Sequence, residues 1–160
     1  MRNGDRVNFL VKNLELLPHP EGGFYKETYR SPQSVLTMDG DRNLTTSIYF
    51  LLTSDHVSRF HRIKSDEHWY FHEGNCLTIH LLNNQGHEKL ELGLLSQKSK
   101  PYHFVPANTI FGSSIEEKHG YALVSCVVSP GFDFKDFKLF TEEELLHDFP
   151  NHSEIITQLT

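Results

Sequence analysis

Residues 60–75 read FHRIKSDEHWYFHEGN. Alternation over EHWYFHE (67–73) puts Glu67, Trp69 and Phe71 on one face of an extended strand and His68, Tyr70 and His72 on the other. The preceding RFHRI (59–63) reads as a second strand, and Lys64, Ser65 and Asp66 form a polar turn between the two. Both faces of the second strand mix large rings with ionisable groups. Such a strand belongs to a sheet covered on one side and lining a pocket or a partner on the other.

Outward from this stretch the same pattern recurs. FYKETYR (24–30), TTSIYFLL (45–52), NCLTIHLL (75–82), KLELGLL (89–95), YHFVP (102–106) and YALVSCVV (121–128) are rich in β-branched and aromatic residues. MDGDRN, NNQG, QKSKP and EEKHG separate them with turn chemistry. Short strands at this spacing predict a mainly β fold, a sandwich or barrel, rather than a parallel sheet with crossover helices. The two ends read as helix. Val7, Leu10, Val11, Leu14 and Leu17 form one apolar stripe that Pro18 closes, before the turn-rich HPEGG (19–23). Thr141 and Glu144 make a capping box ahead of Leu145 and Leu146, Pro150 ends that helix, and a last short helix starts near Ser153. No repeat or linker divides residues 1–160, so a single domain is expected.

The chain has 160 residues, of which 15 are Lys or Arg and 21 Asp or Glu, a formal net charge of -6. An acidic chain without a basic stripe repels phosphate backbones, which argues against a nucleic-acid partner. Mean hydropathy is -0.44, and no apolar run approaches the roughly 20 residues of a membrane span. The first residues, MRNGDRVNFLVKNLELL, are interrupted by Asp5, Lys12 and Glu15 and lack the apolar core of a signal peptide. A cytoplasmic protein is expected. Cys76 and Cys126 form no CxxC pair and read as buried, inert thiols. No HExxH, GxSxG, P-loop or GxGxxG occurs, which removes the usual support for zincin, serine-hydrolase and nucleotide-fold readings.

The spacing His61, Glu67, Gly74, followed by FVPANTIFG (104–112), resembles the two motifs of the cupin superfamily. LPHPEGGFYKETYRS (17–31), TSIYFLL (46–52), FHRIKSDEHWYF (60–71), VPAN (105–108) and GYALVSCVVSPGFDFKDFKLF (120–140) together resemble its cupin-5 branch. The resemblance implies a double-stranded β-helix, the cupin jelly-roll barrel, with an N-terminal helix and short C-terminal helices, assembled as a homodimer. Residues 24–30 are the expected pairing element. Metal-binding cupins take two His and a Glu from the first motif and a third His from the second. Here only His61 and Glu67 match, while Ile63 and Phe111 fall at the other ligand positions, and Tyr70 stands where many cupin-5 chains have His. No cofactor is therefore expected. A divalent metal, for which His72 or His103 would have to serve, is disfavoured because Ile63 and Phe111 offer no donor atom.

His61 and Glu67 are the candidate acid–base pair, with His61 moving the proton and Glu67 orienting it; a structural hydrogen-bonded pair is the alternative. Tyr49, Trp69 and Phe111 are candidates to shape a ligand pocket in the barrel interior. Tyr25 and Glu27 share parity in FYKETYR and point to the same cavity, and Arg30 offers a fork to a carboxylate. These residues together predict a small polar ligand, sugar-like or carboxylate. Metal-free isomerisation or epimerisation, non-catalytic binding, and metal-dependent oxygenase or isomerase chemistry are the three readings. His19 reads as a loop residue, and His56, His87, His119, His147 and His152 as solvent-facing. His68, His72 and His80 are strand histidines with the potential to cluster.

Overall fold

The alternation of residues 67–73 exists because that strand is the wall of a two-sheet barrel. In the computed structural model, which describes residues 3–160, the helix α1 (Asn3–Asn13) precedes β1 (Leu17–Pro18), β2 (Phe24–Arg30), β3 (Ser34–Thr37), β4 (Gly40–Asn43) and β5 (Thr46–Thr53). There follow β6 (Ser58–Arg62), β7 (Asp66–Gly74), β8 (Leu77–Asn83), β9 (Gly86–Leu92), β10 (Tyr102–Val105), β11 (Ile110–Ser114) and β12 (Tyr121–Ser129). The chain ends with β13 (Lys138–Leu139), α2 (Glu142–Asp148) and α3 (Ser153–Gln158). One sheet has the order β1-β2-β5-β12-β7-β10 and the other β13-β6-β11-β8-β9, with β3 and β4 a separate hairpin. The pairings within both sheets are antiparallel, as the jelly-roll expectation requires.

The two sheets close on a shared core. One end is filled by Leu52, Leu77, Ile79, Leu81, Leu92 and Ala122. Each outer face is covered by a chain end. Leu10 and Leu16, with Val7, Val11 and Leu14, pack on Leu51 and Leu123 of the six-stranded sheet. Leu145, Ile155, Ile156 and Leu159 pack on Phe60, Leu82 and Ile110 of the other sheet. The capping box at Thr141 and Glu144 is formed in both directions.

Several local expectations need correction. The N-terminal helix stops at Asn13, short of Pro18, and Glu15 takes a positive φ of 53°. Leu17 and Pro18 instead add two residues to the sheet edge. The stretch around MDGDRN is not a plain loop, since Ser34–Thr37 and Gly40–Asn43 pair across a tight turn. β11 was absent from the sequence reading because IFGSS lacks alternation; all five of its residues are buried, so no polar face marks it. Cys76 is exposed and donates to Glu91 Oε2, whereas Cys126 is buried; both thiols are free. Among the described residues no helix is long and apolar enough to cross a membrane.

The HPEGG turn is held against β6 by main-chain contacts. Arg59 N donates to the Glu21 carbonyl at 2.7 Å, and Gly22 N donates to the His19 carbonyl at 3.0 Å. Gly22 has φ of +112°, and a Cβ there would lie 1.9 Å from the Val57 carbonyl oxygen. Only glycine permits this approach. Gly22→Ala is expected to destabilise the fold by about 2–4 kcal/mol in urea unfolding, whereas Gly4→Ala, which meets nothing within 4 Å, changes it by less than about 0.5 kcal/mol.

Candidate functional site

The end of the barrel opposite the packed core holds a cavity of about 410 Å³, a size typical of small-molecule sites. β5 contributes Thr46, Ile48 and Phe50 by alternation, and β12 contributes Cys126 and Val128. β7 contributes Glu67 and Trp69. β2 contributes Tyr25 and Glu27, which pair with Phe50 and Ile48. A bulge between Glu27 and Tyr29 then shifts the register, so that Arg30 pairs with Thr46 and joins the same face. Strict alternation would have turned Arg30 outward. The far wall is the loop carrying Phe132, Asp133 and Phe134, pinned where Phe132 N donates to Thr46 Oγ1 at 2.9 Å.

His61 sits at the floor, 3% exposed. Its Nδ1–H donates to the Arg59 carbonyl at 2.7 Å, and its Nε2 lies 2.9 Å from Glu21 Oε2. Ser58 Oγ donates to the other Glu21 oxygen at 3.0 Å. Burial opposes the charge on His61, but the Glu21 charge and hydrogen bond, with Glu67 and the Arg59 carbonyl, outweigh it and raise the imidazole above its ordinary value. Burial likewise opposes ionisation of Glu21, and His61 with smaller contributions from His19 and Ser58 outweighs it, leaving the carboxyl below its ordinary value. Both shifts favour the imidazolium–carboxylate form of the pair. His19 accepts from Glu21 N through Nδ1 at 3.1 Å, and burial followed by the His61 charge holds it neutral against the pull of Glu21.

The carboxylate bonded to His61 is thus Glu21 and not Glu67, which corrects the expected partnership. Glu67 lies in the same cavity, 9% exposed, and among the described residues its Oε2 has no hydrogen-bond partner. Burial, then the charge of Glu21, push its carboxyl up to about 7 against the opposing His61 charge and the Trp69 indole N–H that faces it. Trp69 is 1% exposed, and its Nε1–H faces the Glu67 carboxyl without closing a hydrogen bond of normal length among the described residues. Phe111 lies beneath the cavity rather than in its wall, with its ring 4.3 Å from that of His61 and 6.4 Å from that of Trp69. Tyr49 does not reach the cavity: it lies between the inward Ile48 and Phe50 and packs outward among the residues under α1, its ring 5.9 Å from His72. Arg30 has no free fork. Its Nε and Nη2 both donate to Glu27 Oε1, and its Nη1 donates to Asn43 Oδ1 and the Phe132 carbonyl.

The cavity does not fit a cupin metal. Ile63 and Phe111 present only carbon, and both His61 nitrogens already have partners. His72 bonds to Ser125 Oγ and His103 to the Glu91 carbonyl, both away from the cavity. Among the described residues no group of three or more His, Cys, Asp or Glu is arranged to hold a metal ion. The strand histidines are likewise dispersed: His68 bonds to Tyr102, and His80 to His87 and Ser114. His19 and Glu21 are the site residues that the sequence reading passed over as turn punctuation. Two ionisable groups flanking a Pro-rich, Gly-rich turn were the available signal.

Ionising Glu67 inside the fold carries a stability cost. Its folded value lies above the unfolded one, so the stabilisation is complete below about pH 4.5 and is lost as pH rises towards 7. Glu67→Gln is therefore expected to be more stable than the parent at pH 8 by about 3 kcal/mol in urea unfolding, with the difference closing below about pH 4.5.

A family model described as Cupin superfamily (DUF985) matches residues 8–140. A structure of a protein from Shewanella oneidensis superposes with a TM-score of 0.88 at 44% identity, covering 100% of this chain and 98% of that one. A hypothetical protein from Leishmania major superposes with a TM-score of 0.90 at 37% identity, covering 96% and 97%. An uncharacterised protein of Saccharomyces cerevisiae is 29% identical over 155 residues, 86% of this chain and 77% of that protein.

Proposed function

The chain belongs to the cupin superfamily family DUF985, and from that premise we propose that its cavity binds a small polar metabolite and exchanges a proton with it through Glu67, without a metal. The observation that carries the reading is a buried carboxyl, raised to about 7, with one oxygen unpartnered in a cavity. A group balanced near neutrality serves as both base and acid. As carboxylate, Glu67 takes a proton from the hydroxyl-bearing carbon next to the ligand's carbonyl, leaving an enediolate; the hydroxyl proton passes to the former carbonyl oxygen, and Glu67 as acid returns its proton to the former carbonyl carbon, so that carbonyl and hydroxyl exchange places. Trp69 Nε1–H is available to the oxygen on which negative charge develops. His61 has both nitrogens committed and acts by charge and position. This is the isomerase reading with the roles of His61 and Glu67 exchanged.

The same commitment of His61 supports a second reading, a binding domain without turnover. Exchange of carbon-bound hydrogen for deuterium in dihydroxyacetone and glyceraldehyde, followed by proton NMR in D2O, separates the two. The expected result is enzyme-dependent exchange whose rate rises with pH through about 7 and falls about 100-fold or more in Glu67→Gln. Exchange no faster than buffer, or unchanged in the variant, overturns the catalytic reading.

A homodimer completes the proposal. Among the described residues β1 pairs only with Phe24 and Tyr25, so the main chain of Lys26–Arg30 has an unpaired side there that a second copy would cover. Light scattering at micromolar concentration is expected to give twice the chain mass, and a monomer overturns the assembly. The free thiols of Cys76 and Cys126 support a cytoplasmic setting.

A further inference from the structure

The two cationic groups lining the cavity, Arg30 and His61, are already paired with carboxylates of the same lining. Arg30 has its donors on Glu27, Asn43 and the Phe132 carbonyl, and the His61 imidazolium is bonded to Glu21. Asp133 accepts from Lys135 N at 2.9 Å, capping its own turn. Among the described residues an anionic ligand would thus meet Glu21, Glu27 and Asp133 with no free cation, and an ammonium ligand would bring no acceptor to the Trp69 indole N–H. A charge transferred from water into such a site without a partner is disfavoured.

What remains unfilled is polar and lies on one strand face. Trp69 Nε1–H and Glu67 Oε2, two residues apart on β7, are buried, and although the indole N–H faces the Glu67 carboxyl neither atom closes a hydrogen bond of normal length among the described residues. An indole N–H only donates, so its complement carries an acceptor. Tyr25, Phe50, Phe132 and Phe134 supply aromatic walls around these groups. Resting on the reading of this cavity as the functional site, we infer that its ligand is an uncharged carbonyl or amide compound whose oxygen accepts from Trp69 Nε1–H and shares a hydrogen bond with the Glu67 carboxyl. The excluded class includes the carboxylate ligands that Arg30 suggested in the sequence.

Trp69 is the one tryptophan of these 160 residues, so its indole N–H is a single resonance in the nitrogen-15 spectrum of the 160-residue chain. Benzamide, benzoate and benzylamine match in shape and differ in charge. Titrated at pH 6, benzamide is expected to move the indole resonance downfield and to bind about tenfold more tightly than either charged probe. Trp69→Phe keeps a ring and removes the donor; calorimetry is expected to show benzamide binding weakened about tenfold. Tighter binding of benzoate or benzylammonium, or benzamide binding unchanged in Trp69→Phe, overturns the inference while leaving the cavity as a binding site. An indole resonance that moves with none of the three overturns the cavity reading as well.

Discussion

The ion pair between His61 Nε2 and Glu21 Oε2, 2.9 Å long and closed off from water, is the interaction on which the rest of the site depends. Two charges buried together survive only when their remaining hydrogen-bonding capacity is filled, and breaking such a pair costs about 3–5 kcal/mol. Here the Arg59 carbonyl fills the other nitrogen of His61, and Ser58 Oγ fills the other oxygen of Glu21. Those partners require the HPEGG turn to lie on the main chain of β6, which in turn requires glycine at position 22. Turn, strand and ion pair form one unit.

Burial, and then that unit, set the state of Glu67. Glu21 already balances His61, so a second carboxylate in the same enclosure would be an uncompensated negative charge. Glu67 therefore holds its proton to about 7. The same logic operates near the mouth, where the bulge in β2 brings Arg30 alongside Glu27 and their charges cancel. With both cations occupied and Ile63 and Phe111 presenting carbon, the enclosure is built around hydrogen bonding and aromatic contact. Metal coordination would need donors that these side chains lack.

How much of this was legible in the sequence varied with the physics behind each feature. The faces of residues 67–73 were readable because a half-polar strand in a closed barrel must alternate, and Glu67 and Trp69 do face inward together. β11 was hidden because burial on all sides erases the alternation. Tyr49 was misplaced because an aromatic strand residue fits either face; α1 covers the outer one, so a ring there is as well buried as one inside. Arg30 was assigned to the correct enclosure, but its partner Glu27, three residues earlier, took the fork that a ligand was expected to use.

The sequence by itself determined the family, the mainly β architecture, the helical ends and the closeness of His61 and Glu67 to one enclosure, since these follow from periodicity, turn chemistry and motif spacing along the chain. The tertiary structure alone decided which carboxylate pairs with His61. Glu21 and His61 are forty residues apart, and no local pattern joins them. They meet because the turn of one strand connection docks on the edge of another, and their charges then add to burial in setting the state of His19, Glu67 and Cys126.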